Sequence, residues 1–394
     1  MKIKVLVINL GWEQEPLIQS LIDKGFEVYG ITNGLETDYS GIKKVYKADY
    51  RDLDLILKIS QDINPNAVIS DQCDYSHFAQ AYIAERLGLP GPGLKQAQIS
   101  ANKYIQRLAA VKAGIKVPVF KLVTTFEKAI VACEKIGFPV IIKPIDNRGS
   151  FGVSKITDIY ELKNAYYEAL IHSHSRFVLI EQYIQGYEIT VDGYCFDGKP
   201  KSLAIALKSK EGLKSQVSMD IKYPADIPAD VYRRAIENNE FVAESLGYKF
   251  GMLHSEYLID KQNDIYLVES ANRGGGVFTS CIIVPTVSGV NILERYIDDA
   301  IGINSNIKNP DTIEKNSVVL KFFAFKNGVV KKISGLEEVS ERSGVLKCRL
   351  NIKEGDEIKT IENDSSRHGF IIYSGKGDLR GDVQNIINQI KVLN

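Results

Sequence analysis

Gly251 to Gly276 read GMLHSEYLIDKQNDIYLVESANRGGG. Two runs with alternating apolar residues, Met252–Ile259 and Ile265–Ser270, flank a polar turn, Asp260 to Asp264, so the segment predicts a β-hairpin. Centred between Gln262 and Asn263, that hairpin sets Glu256 opposite Glu269 and His254 opposite Ala271. The two glutamate Cβ atoms then lie roughly 5 Å apart on one face. Like charges at that spacing repel unless something positive sits between them. Hard divalent cations want carboxylate oxygen and keep phosphate oxygens as remaining ligands, so Glu256 and Glu269 are candidate ligands for two Mg²⁺ ions, with Mn²⁺ as a substitute. Arg273 and the glycines Gly274–Gly276 follow at once, a fixed cation and bare backbone amides, which makes Arg273 and Gly275 catalytic candidates. A solvated hairpin edge would carry the same two glutamates, so the rest of the chain has to decide.

The chain has 394 residues, enough for two to four domains and a large core. Lys plus Arg equals Asp plus Glu at 49 each, so no net field favours nucleic acid or an anionic membrane. Any anion bound here is held by local groups. The five cysteines are far apart with no CxxC pair, which argues against a zinc site or disulfide framework and for a reducing cytoplasm. The amino terminus, MKIKVLVINLGWEQEP, has too short an apolar run for a signal peptide, and no stretch reaches the 18 or so apolar residues of a membrane span.

Residues 1–93 alternate strand and helix: Lys4–Leu10, Pro16–Lys24, Phe26–Thr32, Leu53–Gln61, Ala67–Ser70 and Phe78–Leu87. That order predicts a parallel sheet with helices on both faces. Its first turn, Asn9-Leu10-Gly11-Trp12-Glu13, lacks GxGxxG, and Glu13 would repel a pyrophosphate, so this domain reads as support and one wall of a substrate site. Leu89-Pro90-Gly91-Pro92-Gly93 marks a boundary. A helix capped by Ser100 is expected next, with Lys103 and Arg107 on one face.

From Pro118 to Ile184 the pattern is a small α+β lobe, with a helix at Phe126–Ile136 and a strand at Phe138–Lys143. Lys143 ends an apolar strand and cannot point into a core unpaired. The loop after it, with Gly149, Ser150 and Gly152, can offer successive N–H groups to phosphate oxygens. No GxxxxGK[ST] occurs, which excludes a P-loop enzyme. Strand Phe177–Glu181, the connector Gln182-Tyr183-Ile184-Gln185-Gly186 and strand Glu188–Phe196 read as a hinge between lobes. Its backbone suits an adenine edge, and its carboxylates Glu181 and Glu188 suit ribose hydroxyls. Lys208 and Lys210 end the strand Ser202–Leu207, either reaching a γ-phosphate or sitting in solvent. His254 either lines the site or is a structural histidine. After a helix at Val290–Ile301 and a linker at Gly302–Lys315, residues 316–394 read as strands Val318–Phe325, Lys347–Ile352 and Phe370–Ser374 and a helix Gly381–Leu393.

This order of parts, Lys103, Lys143 with its loop, EQYIQGYEITVDGY, HSEYLI and VESANRGGG, resembles the ATP-grasp enzymes, and more closely the carboxylate–amine ligase branch that includes the L-amino acid ligases. The resemblance implies an amino-terminal parallel-sheet domain (1–93), an ATP-grasp domain (94–305) with a small lobe at about 118–184 and a large lobe at about 185–305, and a small α+β cap (316–394). It implies ATP and Mg²⁺ as cofactors, Lys103 on the α-phosphate and Lys143 on the α/β-phosphates. It puts the loop Gly149–Gly152 over the β/γ-phosphates, Glu181, Gln182, Tyr183 and Ile184 at adenine, Glu188 at ribose and Arg273 at the reacting carboxylate. Many members carry glutamate-x-asparagine as the second metal motif. Here the position two after Glu269 is Ala271, and Asn272 falls on the opposite face, leaving its place as a ligand open. The expected reaction joins a small-molecule carboxylate to an amine through an acyl phosphate, in a cytoplasmic enzyme, with a homodimer as the assembly considered. A bicarbonate-activating enzyme and a non-catalytic nucleotide-binding module are the alternatives. Substrate walls are expected from the loops 211–228, with Lys214, Gln216, Met219 and Tyr223, and 278–288.

Overall fold

The computed structural model describes residues 2–34, 40–210, 217–311 and 316–393. Lys4–Ile8 pairs in parallel with Glu27–Thr32 and Ala67–Ile69, and Ile42–Lys47 adds to the far edge, giving a four-stranded parallel sheet. Side-chain alternation sends Val5 and Val7 into a core with Leu17, Ile18 and Leu21 of one helix, Glu15–Asp23. Leu6 and Ile8 go to the other face, against Ile56 of Leu53–Ile63 and Ala79 and Ile83 of Asp74–Leu87. Helices therefore cover both faces, as buried parallel strands require. Ile42–Lys47 escapes the hydrophobic-pattern reading because, as a mostly exposed edge strand with lysines at 43, 44 and 47, it has almost no apolar face.

The single helix expected after Gly93 is two, Leu94–Ala101 and Lys103–Lys112. The break is at Asn102, whose side-chain oxygen accepts from the Tyr104 and Ile105 N–H groups, so Asn102 and not Ser100 is the cap. Ser100 is buried, and its hydroxyl instead accepts from the Asn272 N–H.

The small lobe is a four-stranded sheet in the order Phe120–Val123, Val178–Gln182, Val140–Pro144, Ser154–Ile156. Helix Phe126–Ile136, capped by Thr125, and helix Leu162–His172 share one core with it.

An eight-stranded sheet forms the floor, in the order Ile265–Ala271, Met252–Asp260, Gly186–Phe196, Lys199–Ser209, Asp220–Tyr223, Val318–Phe322, Gly369–Ser374, Val345–Leu350. Asp220–Tyr223 pairs antiparallel with Val318–Phe322, so strands of the carboxy-terminal segment prolong the large lobe's sheet. Its last helix is Leu379–Ile387, and Lys391–Leu393 then returns as a strand against Lys332–Ser334 where helix was expected.

In the hairpin, Glu256 faces Glu269 and His254 faces Ala271. Nearer the turn the register changes: Tyr257 faces Leu267, and Val268 is the extra residue of a bulge. The turn is centred on Gln262, and the bulge restores the glutamate pairing. The Val268 carbonyl is pinned at 2.6 Å by the Arg107 guanidinium.

Candidate active site

A cavity of about 1160 Å³ is lined from the small lobe by Lys143, Gly149, Ser150 and Glu181, and from the hinge by Gln182, Tyr183 and Ile184. Glu188, Lys208, Lys210, His254, Glu256, Glu269 and Arg273 line it from the large lobe, and Lys103 completes it. Residues far apart in the chain thus meet in one space.

At the small-lobe end the buried Glu181 is held between Arg107 (Nε–Oε1, 2.7 Å) and Lys143 (Nζ–Oε2, 2.6 Å). Burial alone would raise the Glu181 carboxyl; the two cations outweigh it and hold it at about 2. Burial, with Arg107 and Lys103 nearby, pushes the Lys143 ammonium down despite Glu181. Two cations on one carboxylate, with Lys103 close by, leave this end electropositive and suited to phosphate oxygen. The Glu181 side chain is committed to these pairs, so the hinge's contribution to an adenine would be backbone. The Gln182 and Tyr183 N–H groups donate to the Val119 and Pro139 carbonyls, whereas among the described residues no backbone hydrogen bond uses the Ile184 amide.

Glu188 is a lysine partner here: its two oxygens accept from Lys208 (2.6 Å) and Lys210 (2.8 Å). Lys208 also reaches Glu256 Oε1 at 2.7 Å and so bridges the two carboxylates, against the reading of a solvated strand end. Burial would lower the Lys208 ammonium, but Glu188 and Glu256 raise it instead. Glu269 Oε1 accepts from Lys103 at 3.1 Å, and Lys103 also donates to the Asn147 carbonyl at 2.7 Å. His254 Nδ1 lies 2.7 Å from Asp192 Oδ1, and its Nε2 lies 3.7 Å from Glu256 Oε1. Burial opposes protonation of this imidazole, yet Asp192 and Glu256 outweigh it and raise it to about 9. Burial would raise the Glu256 carboxyl; Lys208 and His254 outweigh it and hold it well below the usual carboxylate range.

Glu256 and Glu269 use Oε1 for these contacts, and among the described residues no hydrogen bond occupies either Oε2. Among the described residues no group of three or more His, Cys, Asp or Glu is placed to hold a metal. Two adjacent carboxylates beside lysines therefore fit Mg²⁺ that arrives with phosphate oxygens as its other ligands, the usual manner of Mg²⁺–nucleotide sites.

Arg273 is fixed by a bidentate pair with Asp74 (Nε–Oδ1, 2.5 Å; Nη2–Oδ2, 2.9 Å). Burial would raise the Asp74 carboxyl, but the guanidinium brings it to about 2. Asp74 begins a helix of the amino-terminal domain, so that domain orients the arginine across nearly 200 residues of sequence.

Asn272, Gly152 and Gly275, like Arg107 and Met219, do not line the cavity. Asn272 is buried off the cavity with its Nδ2 donating to the Phe250 and Met252 carbonyls, so it is not placed as a replacement metal ligand. Its position one residue past Ala271 turns it to the other face of the sheet. Gly152 (φ +67°) faces helix Leu162–His172, where a Cβ would meet the Ala169 backbone at 3.2 Å. Gly275 packs against His254: a Cβ there would lie 2.8 Å from Nδ1, so it spaces the histidine and does not face the cavity. Lys214 and Gln216 lie outside the described residues. Met219 is buried, and Tyr223 lines the cavity with its hydroxyl donating to Asp192 at 2.8 Å.

The pattern reading gave no role to Asp74, Asp192, Trp12, Arg349 or Arg367. The last three line the cavity, and the first two hold residues that do. Arg107 was visible as a basic residue one turn from Lys103, but its complete burial was not.

A family model described as the ATP-grasp domain matches residues 136–281, and one described as L-amino acid ligase C-terminal domain 2 matches residues 321–386. An L-arginine-specific L-amino acid ligase from Bacillus subtilis is 23% identical over 79% of this chain and 75% of its own length. An alanine–anticapsin ligase from Bacillus subtilis (strain 168) is 27% identical over 62% of this chain and 55% of its own length. The chain thus spans between about half and three quarters of these relatives. The crystal structure of an L-amino acid ligase from Bacillus licheniformis superposes with a TM-score of 0.86 at 20% identity, covering 100% of this chain and 98% of that one, so the two share the ATP-grasp fold. No helix among the described residues is long and apolar enough to cross a membrane.

Proposed function

We propose that this member of the ATP-grasp superfamily, carrying an L-amino acid ligase type of C-terminal domain, is an ATP-dependent ligase. It joins the carboxylate of an amino acid or similar small acid to an amine, releasing ADP and phosphate. The observation that carries this reading is the cross-strand pair Glu256–Glu269, lining a cavity that also holds Lys103, Lys143 and Arg273. The relatives' names are those of amino-acid ligases, which favours an amine acceptor over bicarbonate activation.

When bound, Mg²⁺–ATP supplies the transferable phosphoryl group and offsets charge on it. The protein's own groups then have distinct tasks. Lys103, Lys143 and the Gly149–Ser150 segment hold phosphate oxygens, while Gln182, Tyr183 and Ile184 border the base. Glu256, held ionised by Lys208 and His254, and Glu269, which faces it across the hairpin, would be the metal ligands, and Lys208 stands beside them where a phosphate oxygen would lie. Arg273, prevented from swinging by Asp74, presents a fixed cation to the reacting carboxylate. One well-placed donor to the tetrahedral oxyanion is worth about 3 kcal/mol. The Asp364 N–H donates to the Gly149 carbonyl at 3.1 Å, so the carboxy-terminal segment ties down the loop that keeps water from an acyl phosphate.

We place the enzyme in the cytoplasm on its five free cysteines, with Mn²⁺ able to replace the two Mg²⁺ ions and a homodimer as its assembly. A screen of amino-acid pairs for phosphate release, with mass spectrometry of products, tests the activity. Glu269→Gln abolishes ADP release while circular dichroism stays native; normal turnover in that variant sinks the metal assignment.

A further inference from the structure

We infer that Arg349 binds a carboxylate carried by the amine substrate, so that the nucleophile is selected as a free amino acid over a simple amine. The inference rests on the ligase reading and adds to it the residue that selects the second substrate.

Arg349 lies on the strand Val345–Leu350 and lines the cavity beside Trp12 and Glu13. Its guanidinium carbon is 4.9 Å from the Trp12 ring centroid. Trp12 in turn is stacked on Phe370 (5.5 Å, 24°) and meets Phe278 edge-on (5.2 Å, 69°). The guanidinium is thus held against a braced indole, and a planar fork fixed in this way loses little freedom on binding a carboxylate. Of the other three arginines lining the cavity, two are held by carboxylates and the third sits on the glycine-bearing loop. Arg273 is paired with Asp74, Arg367 with Asp364 and the Ser218 carbonyl, and Arg148 rides the glycine-bearing loop over Tyr75. Among the described residues Arg349 makes no ion pair, and its Nε is buried without a hydrogen-bond partner. Among the described residues no hydrogen bond uses its terminal nitrogens either, so an arginine on the cavity wall has its fork open to a carboxylate. Glu13, on the same wall, is close enough to feel Arg349 but forms no ion pair with it.

The chemistry assigns the ligand to the second substrate. Joining two amino acids consumes one carboxylate, the one assigned above to Arg273, and leaves that of the amine intact in the product. A second guanidinium on another wall of the same cavity serves the carboxylate that persists. Bidentate binding of a carboxylate by arginine is both strong and specific in geometry, and neither lysine nor a neutral side chain reproduces it.

The test offers amine donors in pairs, glycine with glycinamide, L-alanine with L-alaninamide and L-arginine with L-argininamide, at saturating ATP and acid. ADP release gives kcat/KM for each, and hydroxylamine, a nucleophile without a carboxylate, traps any acyl phosphate as hydroxamate. The expected result is a preference of about 10- to 100-fold for the free amino acids, carried mainly by KM. Arg349→Met brings the ratio near one, and Arg349→Lys, which keeps charge but loses the fork, falls between. Emission of Trp12, the chain's one tryptophan, reports whether the wall is intact in each variant. Hydroxamate formation without any preference for free amino acids overturns this inference and leaves the ligase reading standing. An equal loss for both members of each pair in Arg349→Met assigns the residue to structure and also overturns it. Absence of both hydroxamate and ADP with every acid removes the ligase reading and this inference with it.

Discussion

Arg107→Met probes the junction on which both lobes depend. Arg107 is 0% exposed, donates to Glu181 at 2.7 Å and holds the bulge carbonyl of Val268 at 2.6 Å. A Glu181 carboxyl brought from 4.5 to about 2 corresponds to about 3 kcal/mol of preference for the ionised form. Burial opposes that preference and Arg107 and Lys143 together outweigh it, so removing the arginine takes a charge-assisted hydrogen bond from a buried carboxylate, a loss of about 2 kcal/mol. Leaving the Val268 carbonyl unpaired costs about 1 kcal/mol more, and relief of Lys143 from a like charge returns some of this. The net expectation is about 2 kcal/mol, or roughly a 30-fold fall in protection. It is read by hydrogen exchange and mass spectrometry of peptides spanning Val178–Gln182 and Ile265–Ala271, because a chain of several lobes has no single unfolding free energy. The pH dependence has a definite sign. Glu181 has a depressed value in the fold, so its stabilisation is complete above about 4.5 and is lost as pH falls from there toward about 2. The gap between parent and variant therefore holds steady from pH 7 to about 5.5 and narrows below about 4.5. A gap under about threefold at pH 7, or one that widens on acidification, refutes the reasoning.

Asn272→Ala leaves the Phe250 and Met252 carbonyls without their donor and costs about 1–3 kcal/mol locally, seen as faster hydrogen exchange in peptides spanning Met252–Asp260 and Ile265–Ala271. The Mg²⁺ concentration for half-maximal ADP release stays within about twofold of the parent's, and a tenfold rise would restore Asn272 as a metal ligand. Asp364→Pro deletes the N–H that ties the carboxy-terminal segment to Gly149 at the first position of a short helical turn, where proline is tolerated. The loop then closes less fully, and ADP release uncoupled from product rises severalfold. Asp364→Asn, which keeps the N–H, stays coupled; equal uncoupling in both variants would trace the effect to the Arg367 ion pair instead.

Local chemistry in the chain was enough for the alternating strands and helices of residues 1–93 apart from the edge strand Ile42–Lys47, for the helix Phe126–Ile136 and for the hairpin that pairs Glu256 with Glu269. Each depends on periodicity and turn residues within a dozen positions, and such short-range preferences survive folding. The order of lysines, glycine-bearing loop, hinge and paired glutamates was legible for the same reason. The helix break at Asn102 was not, because Ser100 and Asn102 are both good caps and only the buried contact of Ser100 with Asn272 separates them. Nor could the sequence show that Arg107 closes on Glu181, that Asp74 steadies Arg273 or that Arg349 lies over Trp12. Those contacts join residues some 70 to more than 300 positions apart, where burial and geometry set the partner and residue type alone is silent. The same applies to the carboxy-terminal strands: each is readable as a strand, but their continuity with the large lobe's sheet is decided by the pairing of Asp220–Tyr223 with Val318–Phe322, a choice among sheet edges made only in three dimensions.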